Sequence, residues 1–197
     1  LIIGIWGVSH IGSGSDLGLG GGTGAGSTQS SGTKSASPTG TASGSPTGTA
    51  SGALEPLAIL SADAFDPLGD NKENNSQVAR VYDDNPSTQW TSERYNTADF
   101  GGLKKGVGVI VDLGPNVRAK EVDLVLPVAA DITVYVASER SLSGATAIGS
   151  KSAAQGTVKF PVTGDVSGQY IIVWFTALTQ DGNGEYRAHL AEVIPLG

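Results

Sequence analysis

Cysteine and methionine are both missing from the 197 residues. The first absence excludes a disulfide scaffold, a thiolate zinc site and a cysteine nucleophile, and it removes any signal of redox compartment. The second extends to residue 1 and reads as a fragment of a longer protein. Positive charge is scarce: 12 Lys and Arg stand against 19 Asp and Glu, a formal net charge of -7. A nucleic-acid binder needs a basic stripe to neutralise phosphates, and adhesion to anionic lipid needs a polybasic patch. This balance argues against both. Histidine occurs only as His10 and His189. The chain has no G-x-S-x-G elbow, no H-E-x-x-H, no P-loop and no G-x-G-x-x-G. Glycoside hydrolysis needs two carboxylates facing each other across a cleft. The adjacent pair Asp83-Asp84 would instead point apart in a strand. The chain therefore reads as non-enzymatic.

What is present falls into three parts. Residues 1–11 (LIIGIWGVSHI) are apolar and too short alone to cross a bilayer, which takes roughly 20 residues. They read as the outer end of a transmembrane helix, with Trp6 at the interface and no Lys or Arg before Lys34. That places the flank on the extracytoplasmic face, with the membrane tether ending near Ile11. Residues 12–53 hold 13 Gly, 10 Ser and 7 Thr and no aromatic residue. Such a segment cannot bury enough apolar area to offset its ordering entropy. The octapeptide SPTGTASG occurs in tandem, at Ser37 to Gly44 and Ser45 to Gly52. A disordered spacer is expected, of a composition that permits O-glycosylation. Residues 54–197 carry 11 of the 12 aromatics and form the folded part.

Strand signals dominate that part. The expected strands are Ala58 to Phe65, Val107 to Leu113, Glu121 to Leu126, Ile132 to Ala137, Thr157 to Val162, Tyr170 to Thr176 and Tyr186 to Ile194. Tyr170 to Thr176 (YIIVWFT) is a continuous apolar run, which marks a strand buried on both faces. Turn signals separate the strands, among them Gly114-Pro115-Asn116 and Asp181-Gly182-Asn183-Gly184. One helical turn is expected over Ser76 to Val81, with Val78, Ala79 and Tyr82 sharing a face. The pattern predicts an all-β fold, an antiparallel β-sandwich preceded by a linker.

Three segments carry the candidate functional residues. Arg94 to Gly106 (RYNTADFGGLKKG) concentrates aromatic and basic residues in an otherwise acidic module. Sugar sites stack rings on aromatic faces and hold hydroxyls with convergent polar groups. Arg94, Tyr95, Asn96, Phe100 and Lys104 are the ligand candidates on an exposed loop. The bland alternative makes Phe100 a core plug and Tyr95 a strand cap. The turn Asp181 to Arg187 adds Tyr186 and Arg187 on the same rim. His189 reads as a structural strand residue. Asp181, Asn183, Glu185 and Glu192 match EF-hand spacing, but Tyr186 replaces the required glycine, so the match reads as coincidence.

The third segment, Asp83-Asp84-Asn85-Pro86-Ser87-Thr88-Gln89-Trp90, resembles the D-G-x-x-x-T-x-W element of discoidin-like domains. These are the coagulation-factor 5/8 type C family and its carbohydrate-binding relatives. Ala191-Glu192-Val193-Ile194 is similar to that family's closing strand. The longer string FDPLGDNKEN…DDNPSTQWTSERY…FGGLKKGVGVIVDLG resembles the extracytoplasmic C-terminal domain of actinobacterial MviN/MurJ-type lipid II flippase proteins. The resemblance covers roughly residues 57–197. It implies a jelly-roll, galactose-binding-domain-like sandwich and a buried Trp90. It also implies a structural calcium ion held by Asp83, Thr88 and Glu192, with Asp84 where the family usually has glycine. The alternative is that Asp83 and Thr88 only cap the turn. The expected function is non-catalytic recognition of a cell-wall glycan or peptidoglycan precursor, localising or regulating a membrane protein. The alternative partner is another cell-envelope protein.

Overall fold

Alternating and β-branched runs set the strands, and the two-residue period decides what each one buries. The computed structural model describes residues 52–197. The expected helix end at 1–11, and the expected linker apart from its last two residues, lie outside the described residues. Among the described residues no helix is long and apolar enough to cross a membrane.

Among the described residues eight strands form: β1 (Ser61–Phe65), β2 (Trp90–Thr91), β3 (Val107–Val117), β4 (Glu121–Ala137), β5 (Thr146–Pro161), β6 (Gly168–Leu178), β7 (His189–Leu190) and β8 (Glu192–Leu196). All named strand pairs are antiparallel. Six strands make one curled sheet in the order β1-β3-β6-β4-β5, with β8 also on β4. β2 and β7 form a separate pair. The expected all-β sandwich is the fold observed.

The curl lies in β4. Its first limb, Glu121 to Val125, pairs with β8, and its second, Ala130 to Ala137, pairs with β6. Register shifts against β5 between Leu126 and Ala130 mark the bend, as bulges do. Pro127 therefore kinks the strand and does not end it, which corrects the expected break there. β5 likewise begins at Thr146, eleven residues before the expected Thr157. Its early half has Ile148 as its one large apolar residue, too little for a strand signal. The expected last strand is split into β7 and β8.

β6 is buried on both faces, as its composition implied. Ile171, Val173 and Phe175 enter the main core, while Ile172 and Trp174 form a second cluster with Phe65 and Ile110. Burial of each such side chain stabilises by about 1.5–3 kcal/mol. β3 lies against β6 so closely that a Cβ at Gly108 would stand 2.0 Å from the Val173 carbonyl oxygen. The expected helical turn is a 3-10 helix, Asn75–Tyr82. Its three-residue repeat buries Val78 and Val81 and leaves Ala79 exposed, a correction to the predicted face.

The pairings also define two ends. Phe65 lies opposite Gly108, Val107 opposite Phe175, and Ala130 opposite Leu178. The loops 66–74, 93–106 and 179–188 therefore gather at one end. At the other end Val117 pairs with Gly168 and Glu121 with Leu196. There Glu55 N–H donates to Gly197 O (3.2 Å) and Gly197 N–H to Glu55 O (2.9 Å). The chain thus enters and leaves the sandwich away from the three loops.

Candidate functional site

The loop end is built on a buried charge network. Asp66 follows β1 and Glu73 precedes the 3-10 helix; both are buried, at 0% and 2% exposure. Lys104 Nζ donates to Asp66 Oδ1 (2.8 Å) and Glu73 Oε1 (3.0 Å). The Tyr95 hydroxyl also donates to Glu73 Oε1. Glu93 N–H donates to Glu73 Oε2 (2.7 Å), and Trp90 Nε1 to the Glu73 carbonyl (2.6 Å). Burial, then the bond to Glu73, pushes the Tyr95 hydroxyl well above its ordinary pKa. Burial alone would lower the Lys104 ammonium; its bonds to Asp66, Tyr95 and Glu73 outweigh that and raise it. Lys104 is therefore a fixed cation tying the loop 66–74 to the loop 93–106. Asp66 Oδ2 stays buried without a partner.

Two clefts open over this network. The smaller, of about 280 Å³, is lined by Arg94, Tyr95, Asn96, Phe100 and Lys104 together with Asp70 and Glu93. It brings together all five ligand candidates of the Arg94 to Gly106 segment. The larger, of about 540 Å³, is lined by Leu68, Asp99, Leu103, Lys105 and Thr176, and shares Phe100, Leu103 and Lys104 with the first.

The roles within the loop differ from those expected. Phe100 is 1% exposed and Tyr95 is buried, and their rings meet edge to face at 5.1 Å. Neither offers a free ring face for stacking, because each is taken up by the core beneath the loop. Lys104 is spent on Asp66 and Glu73. Arg94 and Asn96 remain exposed on the rim. The second turn does reach this rim: Tyr95 and Tyr186 form an antiparallel bridge, with Tyr95 N–H donating to Tyr186 O (2.9 Å). Arg187 donates through Nε to Glu185 Oε2 (2.8 Å) and through Nη1 to Ser92 O (2.9 Å), so it braces the rim from behind. Neither Tyr186 nor Arg187 lines either cleft.

Asp66, Glu73, Leu68 and Leu103 are the residues that sequence reasoning did not single out as site residues. One signal was available for the carboxylates. A Lys in a loop with two aromatics can be buried only against carboxylates, and the acidic stretch 63–73 supplied them.

The turn at Asp83 is closed by its own side chains. Thr88 Oγ1 donates to Asp83 Oδ2 (2.7 Å) and Asn85 N–H to Asp83 Oδ1 (3.0 Å). Asp84 takes a left-handed φ of 58°, so it adopts the conformation glycine supplies elsewhere. Glu192, buried on β8, sits beside this turn. Burial raises its carboxyl above the usual range; a contact with the Asn85 backbone opposes this, and the nearby charges of Asp83 and Asp84 add to it. Its Oε1 has no hydrogen-bond partner. Among the described residues no group of three or more His, Cys, Asp or Glu is placed to hold a metal ion. The oxygens that are present (two carboxylates, a hydroxyl and backbone carbonyls) are a hard donor set of the kind calcium takes. The unpartnered, buried Oε1 of Glu192 fits a cation there.

His189 is a buried strand residue, as read from the sequence. Its Nδ1 meets Gln89 Oε1 (3.1 Å) and its Nε2 lies 3.6 Å from Asp181 Oδ2. Asp181 spends Oδ1 on the N–H groups of Asn183 and Glu185. The EF-hand spacing has no structural counterpart, because Glu192 lies in β8 beside the Asp83 turn.

The fold is an antiparallel β-sandwich of the kind seen in solved CBM32 carbohydrate-binding modules. No family model matches the chain, and no curated protein matches its sequence. Solved structures match its fold. The CBM32 module of AlyQ, in complex with 4,5-unsaturated mannuronic acid, gives a TM-score of 0.50 at 15% identity, over 72% of this chain and 97% of that one. A mutant of chitosan-binding module 1, from a chitosanase/glucanase of Paenibacillus sp. IK-5, gives 0.52 at 20% identity, over 74% and 100%. A CBM32 structure produced by Clostridium perfringens gives 0.50 at 12% identity, over 68% and 90%.

Proposed function

We propose that residues 54–197 are a non-catalytic module that binds a cell-envelope glycan or peptidoglycan precursor at the loop end. The observation that carries this reading is the cleft of about 280 Å³, which gathers Arg94, Asn96 and Lys104 with Tyr95 and Phe100. It is concave, has an aromatic floor and carries convergent polar groups, as small-ligand sites do. It opens at the end away from Glu55 and Gly197. The resemblance to MviN/MurJ-type C-terminal domains supports a role in localising or regulating a membrane protein of cell-wall synthesis on the extracytoplasmic face. A calcium ion on Asp83, Thr88 and Glu192 would neutralise the buried Glu192 and tie β8 to the Asp83 turn. A second reading, docking of an envelope protein, draws on Leu68 and Leu103, which are 54% and 79% exposed.

The test is an NMR titration of the 197-residue chain with soluble peptidoglycan fragments and a glycan panel, in calcium and then in chelator. Shifts confined to residues 93–106 are expected. An unchanged spectrum at millimolar ligand would overturn the glycan reading for those ligands.

A further inference from the structure

Two of the three exposed large hydrophobic side chains among the described residues, Leu68 and Leu103, line the larger cleft from different loops. Leu103 is also shared with the smaller cleft. It stands as a ridge between two hollows of about 540 and 280 Å³, near or inside the range of about 300–1,000 Å³ that small-molecule sites occupy. The turn that lifts it is costly. Phe100, Gly101 and Gly102 all have left-handed φ, at 61°, 67° and 69°. For a bulky residue such as Phe100 that conformation is an outlier, and such strain persists where the surroundings enforce it and function uses it. A Cβ at Gly102 would meet nothing within 4 Å, so the space beside the ridge is open.

Charge separates the two hollows. The smaller one carries Asp70 and Glu93 on its rim, facing Arg94, which itself lies 4.0 Å from Glu185. Lys104, common to both, is neutralised by Asp66 and Glu73. The larger one carries Lys105, which is exposed and makes no ion pair among the described residues. Its single carboxylate, Asp99, accepts the Thr97 hydroxyl.

We propose that the two hollows are one groove taking an acidic oligosaccharide of at least two sugar residues. One ring occupies the Arg94–Asn96 hollow, Leu103 packs between successive rings, and Lys105 binds a carboxylate on the ring beyond it. This rests on the glycan-binding reading above and narrows it to uronate-type or other carboxylate-bearing glycans.

The test is calorimetric titration of the full chain at low salt. The probes are tetramers of galacturonate, mannuronate and hyaluronan, set against cellotetraose and N-acetylchitotetraose. At least one acidic tetramer is expected to bind about five-fold or more tighter than the neutral ones, the scale of one exposed charge pair, with the gap closing at high salt. Lys105→Gln should abolish the gap, and Leu103→Ala should weaken tetramers more than monosaccharides. Lys120→Gln, at the opposite end, is the control that should leave every affinity unchanged. Neutral tetramers binding as tightly as acidic ones, or a gap that survives Lys105→Gln, overturns the acidic groove while leaving glycan binding intact. No binding by any tetramer or monosaccharide overturns both.

Discussion

Replacing Lys104 with Met removes the only cation from a cluster in which Asp66 and Glu73 are almost wholly buried. The isosteric stem keeps the packing, so the loss reads the charge. Breaking a buried ion pair by deleting one partner costs about 3–5 kcal/mol, because the other charge is left uncompensated in a low-dielectric site. For a domain of this size that is roughly 6–20 °C in Tm, at roughly 2–4 °C per kcal/mol. Thermal unfolding followed by circular dichroism gives the global effect. Trp90 fluorescence gives the local one, since its Nε1 bonds to the Glu73 carbonyl. The pH dependence has a defined sign. Lys104 holds its proton above the ordinary 10.5 in the folded chain, so its stabilisation is complete below that value and fades as pH rises through the folded one. The wild type should therefore show no loss from this network between neutral pH and about 10. The control is Lys72→Met, whose exposed pair with Asp70 at 3.9 Å is worth at most about 1 kcal/mol. A Lys104→Met cost no larger than that of Lys72→Met would refute the buried-network account.

Three further outcomes are expected. Saturating calcium should stabilise the fold by about 2.7 kcal/mol at a hundredfold excess over Kd, read as a higher Tm than in chelator; Glu192→Gln should remove the difference, and identical melts in both conditions would rule the ion out. Asp84→Gly should stabilise by about 1 kcal/mol, since it relieves a left-handed φ of 58° and removes a charge beside Glu192; a lower midpoint in urea would contradict this. Gly69→Ala should destabilise by about 1–3 kcal/mol, because its Cβ would lie 2.1 Å from the buried Asp66 Oδ2 and 2.8 Å from Lys104 Nζ; a neutral result would mean that Asp66 can move.

The sequence was most legible where one period or one composition decided the outcome. Tyr170 to Thr176 has no polar residue between its ends, so it had to be buried on both faces, and β6 became the centre of the sheet. The early half of β5 could not be read, because Thr146 to Gln155 is mostly Ala, Gly, Ser and Lys, buries only Ile148 in part and Ala154, and is held chiefly by pairing to β4. The site showed the same division. Which residues share the smaller cleft was visible in a thirteen-residue segment, since proximity in a loop survives most folds. Which way each side chain faces was not, because that depends on Asp66 and Glu73, 22 to 38 residues away in the chain. Once those carboxylates claim Lys104, Tyr95 and Phe100 follow it inward.

That inversion changes how the loop end can work. With aromatic faces turned inward, stacking cannot dominate recognition, and the exposed groups are Arg94, Asn96, Leu103 and Lys105. On the glycan-binding proposal, affinity must then come from shape around the Leu103 ridge and from a few polar contacts on a rigid base. The buried network supplies that rigidity: it crosses from the loop after β1 to the loop before β3 and fixes both hollows relative to the sheet. The free surface residues can therefore vary in chemistry without loss of the fold, while Lys104, Asp66 and Glu73 cannot. Substitutions at Leu103 and Lys105 should accordingly change ligand preference at nearly constant Tm. Substitutions in the network should lower Tm and weaken every ligand together.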